Sequence, residues 1–119
     1  MLDTIRKRDG RTVPFDTEKI TNAIWKAFEA SLSAKPHETA EEIAQQVVHN
    51  LRRNESIGIP TVEEVQDKVE EVLIENGFVR TAKSFILYRA ERTRIREMYM
   101  RLMRVYDDLT NNAAIDSDI

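Results

Sequence analysis

Apolar positions along this chain recur with a helical period over most of its length. Ile20, Ala23, Ile24, Ala27 and Phe28 fall at i, i+3, i+4, i+7 and i+8. With 3.6 residues per turn, that spacing gathers them on one face of a helix. Asp16 or Thr17 caps this first helix, and the stretch from Ser33 to Pro36 ends it. A second helix is predicted from about His37 to Arg53, with Ala40, Ile43, Ala44, Val47 and Leu51 turned inward. Thr61 starts a third, because Glu64 stands three residues on and completes a capping box. Val62, Val65, Val69, Val72 and Leu73 form its face, and Asn76-Gly77 is a stop signal. From Val79 the pattern runs on to about Leu109, which is about 45 Å of helix at 1.5 Å per residue. The tail TNNAAIDSDI lacks periodicity and reads as a linker.

The beginning of the chain follows a different rule. Asp9-Gly10, between IRKR and RTVPF, signals a two-residue hairpin turn, since both positions tolerate a positive φ. In that register Arg8 faces Arg11, Lys7 faces Thr12 and Arg6 faces Val13. Two facing arginines destabilise a hairpin unless an anion lies between them. Pro14 cannot donate to a ladder, so the second strand lies at an edge or is ending. Ile57 and Ile59 alternate around Gly58 and suggest a short third strand. The expected fold is therefore mainly α with a small β-cap (α+β): a four-helix bundle covered by a short three-stranded sheet.

Composition narrows the function. The chain has 119 residues, enough for one domain with one core, and no cysteine. Disulfides, thiol chemistry and cysteine-bound zinc are excluded within it. His37 and His49 have no spaced partner and make a poor metal site. No run approaches the length of a membrane span and no signal-peptide pattern opens the chain, so a cytoplasmic protein is expected. The net charge of −3 hides segregation. Residues 1–28 carry six Lys/Arg against four Asp/Glu, residues 29–76 four against eleven, and residues 89–104 six against two. If the basic ends meet, a positive site forms on an acidic body. Nucleic acid is disfavoured as a partner by the overall acidity and by the lack of aromatic residues among the arginines.

Neither GxxxxGK[ST] nor GxGxxG occurs, and three glycines are too few for a glycine-loop phosphate cradle. No Ser/His/Asp set is present, so nothing in the chain points to catalysis. A nucleotide would have to be held by side chains, with lysines as point charges and arginines as forks. Lys19 opposes the macrodipole at the start of the first helix, which hints at a nearby anion. Trp25 lies off the apolar stripe and reads as a rim residue beside Lys26. Arg89 and Arg92 share a face of the last helix.

Three blocks in order, IRKRDGRTVPFDTEKITNAI, IPTVEEVQDKVEEVLIENG and TAKSFILYRAERTRIRE, resemble the ATP-cone domain over about residues 3–97. This is a regulatory nucleotide-binding module at the N-terminus of many ribonucleotide reductases. The extension RLMRVYDDLTNNAAIDSDI resembles the segment that joins the cone to the catalytic barrel in the anaerobic, glycyl-radical class. The resemblance implies a cone over residues 1–97. Residues 98–119 would then be a helical extension and linker toward a catalytic domain that the chain lacks. It implies ATP as activating and dATP as inhibiting effector, with Mg2+ carried by the phosphates and no metal ligand from the protein. By the same resemblance Lys7 and Arg8 serve the nucleotide, Val13 lies against the base, Lys19 contacts phosphate, and Gln66 and Arg92 complete the site. Some cones hold two nucleotides, and Lys26 is placed for the second phosphate set. A glutamate found after the turn in some cones is replaced here by Val13. On this reading the basic hairpin is a lid over phosphates, and the ligand supplies the charge that lets Arg8 and Arg11 face each other.

Other readings are a helical protein-interaction module, a cone from a class I or class II reductase, and a regulator of reductase genes. In that last family the cone follows a cysteine-rich zinc ribbon, which the absence of cysteine opposes. Finally, Ile95, Met98, Leu102, Val105 and Leu109 recur at steps of 3, 4, 3 and 4, an a/d-type seam. It is expected to pair with a second copy or with the reductase body, as a relay outside the cone's own core.

Overall fold

The computed structural model describes residues 3–33, 35–53 and 58–117, the last six by their backbone. Two strands come first, β1 (Thr4–Arg6) and β2 (Thr12–Pro14), followed by α1 (Thr17–Ala30), α2 (His37–Arg53), α3 (Val62–Glu75) and α4 (Val79–Ser117). The chain divides into two compact units, Met1–Ile86 and Leu87–Ile119.

The first unit has one core. Ile20, Ile24, Ala27 and Phe28 of α1 meet Ala40, Ile43, Ala44, Val47, Val48 and Leu51 of α2. Val65, Val69, Val72 and Leu73 of α3 and Ala82 and Phe85 from the first turns of α4 complete it. These are the positions that the helical spacing selects, with Val48, Ala82 and Phe85 added; Ala23 and Val62, expected on the same faces, are only partly buried. Burial of such side chains is the main stabilising term, about 1.5–3 kcal/mol for each large one. Polar contacts lie inside too: the Ser31 hydroxyl donates to Phe28 O at 3.1 Å and lies 3.1 Å from the Thr81 hydroxyl, and both residues are buried.

Helix ends are set by local chemistry. The Asp16 carboxylate accepts the Glu18 amide at 3.0 Å and caps α1, and Thr61 Oγ1 accepts the Glu64 amide at 3.1 Å and caps α3. Both α1 and α3 end in the same paired pattern. The Ser33 amide donates to Phe28 O and the Leu32 amide to Glu29 O. Likewise the Phe78 amide donates to Leu73 O and the Gly77 amide to Ile74 O. Each motif places one residue in the left-handed region. In α3 it is Gly77, as Asn76-Gly77 suggests; in α1 it is Leu32, with φ 57°.

The cap differs from expectation in two respects. Among the described residues the sheet has two strands, not three. What remains of the third is one parallel bridge between Arg6 and Thr61, with the Arg6 amide donating to Pro60 O at 2.9 Å. Pro60 has no N–H to return and Thr61 is already a helix cap, so no further rung forms there. Ile57, the other half of the expected strand, lies outside the described residues. The hairpin register is also shifted by one. Thr4 pairs with Pro14, Ile5 with Val13 and Arg6 with Thr12. The Gly10 amide closes on Lys7 O at 3.0 Å and the Lys7 amide donates to Arg11 O at 2.7 Å. Arg8, Asp9 and Gly10 thus make a three-residue loop, with Gly10 at φ 88°. The shift sets Ile5 beside Val13, and Ile5 packs on the core.

The fourth helix also exceeds its prediction. It passes Leu109 and continues to Ser117, because no glycine or proline interrupts it and Ala113 and Ala114 favour helix. At 1.5 Å per residue its 39 residues span about 58 Å. A four-helix bundle along that whole length is not what the structure shows: only its first turns join the core of the first unit. From Leu87 onward it forms the second unit, where Ile95, Met98, Leu102, Val105 and Leu109 are exposed. Among the described residues no helix is long and apolar enough to cross a membrane.

Candidate functional site

The hairpin, the start of α1 and the start of α3 come together at one end of the first unit. Only Phe15 and Asp16 separate β2 from α1, and the Phe15 amide returns to Asp3 O at 2.9 Å. The Arg6 amide bond to Pro60 holds β1 against the entry to α3. A third tie comes from the loop itself, where Arg8 Nε lies 2.5 Å from Glu63 Oε1.

Five of the seven expected site residues belong to this end. Lys7 is exposed beside the hairpin turn, Arg8 is in the loop, and Val13 is half-buried opposite Ile5. Lys19 is exposed in the first turn of α1. Gln66 lies one turn along α3 from Glu63, on the same face at i+3. Its Oε1 is buried and has no hydrogen-bond partner among the described residues. An orphaned buried acceptor costs about 1–3 kcal/mol, so the position is set up for a donor. Lys26 follows Lys19 by seven residues, on the same side of α1 and about 10 Å along its axis. Arg92 is exposed on α4 in the second unit. Lys7, Lys19 and Lys26 make no ion pair with another described residue.

The facing arginines are not found. Arg11 turns back on its own loop, where its Nε donates to Asp9 Oδ2 at 2.6 Å and its amide to Asp9 Oδ1 at 3.0 Å. The Arg11 amide first, and then its guanidinium, hold the Asp9 carboxyl below the usual range. Arg8 pairs with Glu63 instead. Countercharge for both arginines therefore comes from the chain. Glu63 is the residue that the sequence does not reveal. It reads as an ordinary acidic residue in the first turn of a helix, and only the true register brings Arg8 to it.

Other hollows suit phosphate poorly. A cleft of about 780 Å³ between α1 and α2 is lined by Glu18, Glu38, Glu41 and Glu42 among others. Beside it the His37 ring bonds Glu41 at 3.0 Å and meets Trp25 edge-on, 5.9 Å between centroids. A second cleft, between α2 and α3, mixes Arg53 and Lys68 with Glu71 and Glu75, and Lys68 is already bonded to Glu71 at 2.8 Å. Lys7 and Lys19, without an ion pair among the described residues, keep the hairpin end basic.

The first unit is thus a helical core with a basic hairpin docked on it. The chain matches the ATP cone domain family over residues 3–94 and belongs to it. It is 45% identical over 114 residues to a vitamin B12-dependent ribonucleoside-diphosphate reductase of Thermoplasma acidophilum, covering 92% of this chain and 14% of that enzyme. A ribonucleoside-diphosphate reductase subunit alpha of Chlamydia trachomatis is 31% identical over 105 residues, covering 75% of this chain and 9% of that subunit. An anaerobic ribonucleoside-triphosphate reductase of Salmonella typhimurium is 29% identical over 121 residues, covering 99% of this chain and 16% of that enzyme. The chain thus spans about a seventh of the first of these relatives.

Proposed function

We propose that this chain is an allosteric nucleotide-binding domain of a cytoplasmic ribonucleotide reductase, with ATP as activator and dATP as inhibitor. The observation that carries it is the hairpin end of the cone. Exposed Lys7 and Lys19 stand there as uncompensated cations, and the orphaned Gln66 Oε1 waits for a donor. A triphosphate supplies the anion, and the amine of adenine can supply the donor. Val13 offers an apolar surface and backbone groups for the base. Lys26 and Arg92 are the outer members of the set, Lys26 for a second phosphate group. Magnesium enters on the phosphates, where it offsets their mutual repulsion. The chain itself carries no reaction; its catalytic partner is the rest of the same polypeptide, joined through residues 98–119.

The 45% identity to a B12-dependent reductase, against 29% to an anaerobic one, favours a parent of the former kind over the anaerobic type that the tail suggests. ATP and dATP differ by one hydroxyl, so the switch must read a small difference. A coupling of about 1–3 kcal/mol suffices.

Calorimetric titration with ATP and with dATP in magnesium tests the reading and gives stoichiometry. Lys7→Ala and Lys19→Ala should each weaken binding by about 1.5–3 kcal/mol, the worth of a charge-assisted bond, with helical content intact. Saturating nucleotide should also raise the thermal midpoint, since it binds the folded state. Unchanged affinity in both variants would remove the hairpin from the site. If millimolar nucleotide produces neither heat nor a thermal shift, the helical interaction module becomes the better reading.

A further inference from the structure

The Arg8–Glu63 pair joins the one loop expected to close over phosphate to the first turn of α3. Its Nε–Oε1 distance is 2.5 Å, and the two side chains are 33% and 46% exposed. Arg8 meets the Glu63 carboxylate through Nε, which holds the guanidinium on that carboxylate. A phosphate oxygen would ask for the same guanidinium. We propose that Glu63 is an internal competitor of the nucleotide phosphates for Arg8, a latch that the ligand must displace to bind. This inference rests on the reading of the hairpin end as a nucleotide site and names a residue that the reading does not contain.

Three observations support displacement rather than shared coordination. First, Glu63 is an anion already at contact distance from Arg8, and two anions repel at that distance. Second, the hairpin does not depend on the pair for its position. The Arg6 amide bond to Pro60 O and the Arg6–Thr61 bridge anchor β1 to the entry of α3 whether or not Arg8 is held. Third, Gly10 and the short loop around it let Arg8 swing without breaking a ladder rung, since the register bonds end at Lys7 and Arg11. Exchange of Glu63 for phosphate therefore moves one side chain. It also removes the Arg8 contact of Glu63, which shares a face of α3 with Gln66, so that occupancy is reported to that helix. Ligand affinity is lowered by whatever holds the latched state, as for any competitor bound within the protein.

The test is titration of wild type, Glu63→Gln, Arg8→Ala and the double variant with MgATP, with inorganic tripolyphosphate and with adenosine. Glutamine keeps the size and a hydrogen bond but not the charge. Glu63→Gln should tighten MgATP and tripolyphosphate about two- to fivefold, the factor that an ion pair of this exposure is worth. Adenosine should be unaffected. In the Arg8→Ala background the same change should have little effect, because the latch acts only through Arg8. ATP binding seen in Glu63→Gln but not in wild type would be the strongest support. Equal tightening with and without Arg8 would show a general field effect and overturn the latch. So would weaker binding by Glu63→Gln, which would make Glu63 a positioning group for Arg8. If wild type and Glu63→Gln bind ATP equally, the latch falls and the nucleotide site stands; if neither binds, both fall.

Discussion

The two units of this molecule treat the same kinds of side chain in opposite ways. In Met1–Ile86 the helical stripes close on each other until Ile24, Val47, Val72 and Leu73 are fully buried. In Leu87–Ile119 a seam of equal regularity stays in water, with Met98 at 47% and Leu102 at 63% exposure. Periodicity therefore tells which residues share a face and nothing about whether that face is covered. Cover depends on length. Helices α1, α2 and α3 have 14, 17 and 14 residues and match one another, whereas α4 has 39. Composition adds to the contrast. All three tyrosines and three of the four methionines fall between Tyr88 and Tyr106, among six arginines and no lysine. Tyr, Met and Arg are the residues enriched at protein interfaces, and lysine is depleted there. The first unit closes on a core, and the second leaves its apolar seam exposed.

The sharpest way to break this comparison is to cut a large side chain from each unit. Phe28→Ala should cost about 3–5 kcal/mol, the range for a buried Phe, because Phe28 is only 1% exposed and packs edge-on to Phe78 at 5.1 Å. Leu102→Ala should change stability by less than about 0.5 kcal/mol, as for a surface substitution. Chemical denaturation with matched m-values measures both. A loss above about 2 kcal/mol for Leu102→Ala, a core-like value, would mean that the seam is covered in the isolated chain, and the contrast would vanish.

What was legible in the sequence divides along the same line. The faces of α1, α2 and α3 could be read because the apolar residues there repeat at helical spacing, and the starts of α1 and α3 carry oxygen caps, Asp16 and Thr61. The hairpin was legible as a hairpin, but Asp9-Gly10 suits two loop lengths. A two-residue loop would set Arg8 against Arg11, while a three-residue loop sets Ile5 beside Val13. Core packing of Ile5 decides between them, and that contact is not local. The same slip concealed Glu63, since its pairing with Arg8 follows from the loop. The third strand failed for a related reason: Ile59 alternates correctly, but Pro60 has no donor to extend the bridge. The end of α4 was misjudged because a lack of apolar period is not a stop signal, and no residue there forbids helix.

A smaller effect sharpens the account of the first unit alone. Its two helix-ending motifs differ in the residue at the left-handed position, Gly77 in one and Leu32 in the other. Leucine in that region is disfavoured by about 1–2 kcal/mol, from contact of its Cβ with the following carbonyl oxygen. Leu32 is 89% exposed, so its side chain returns little of that cost. Leu32→Gly should therefore stabilise the unit by up to about 1 kcal/mol, the rest being offset by glycine's freedom in the unfolded chain. Gly77→Ala should destabilise it by a similar amount, although nothing lies within 4 Å of the added methyl, because the strain is in the backbone. Thermal midpoints of the two variants should move in opposite directions. If Leu32→Gly lowers the midpoint, Leu32 has a partner that the isolated unit does not show.

The smallest expected effect lies in the second unit, whose exposed pairs contribute little to stability but leave a clear titration signature. Arg94 donates to Glu91 from both Nε and Nη2, at 3.2 and 2.6 Å, one turn apart on α4. The bond from Arg94 holds the Glu91 carboxyl below its ordinary range, and the same bond raises the Arg94 guanidinium. A carboxyl lowered in the folded state favours folding while it is ionised. Its contribution is complete above the unfolded value, about 4.3 for glutamate, and is lost as pH falls through the lower, folded value. Acid should therefore loosen α4 around Glu91 only below the pH at which unpaired glutamates have already protonated. Carbon-detected NMR of the Glu91 carboxyl gives the midpoint directly. In Arg94→Gln the midpoint should move up toward the ordinary range, and the shift should shrink in high salt because the pair is exposed. If the Glu91 midpoint is the same with and without Arg94, the pair is not maintained in solution. The second unit would then be a helix with no lasting side-chain order of its own, and the contrast with the first unit would be greater still.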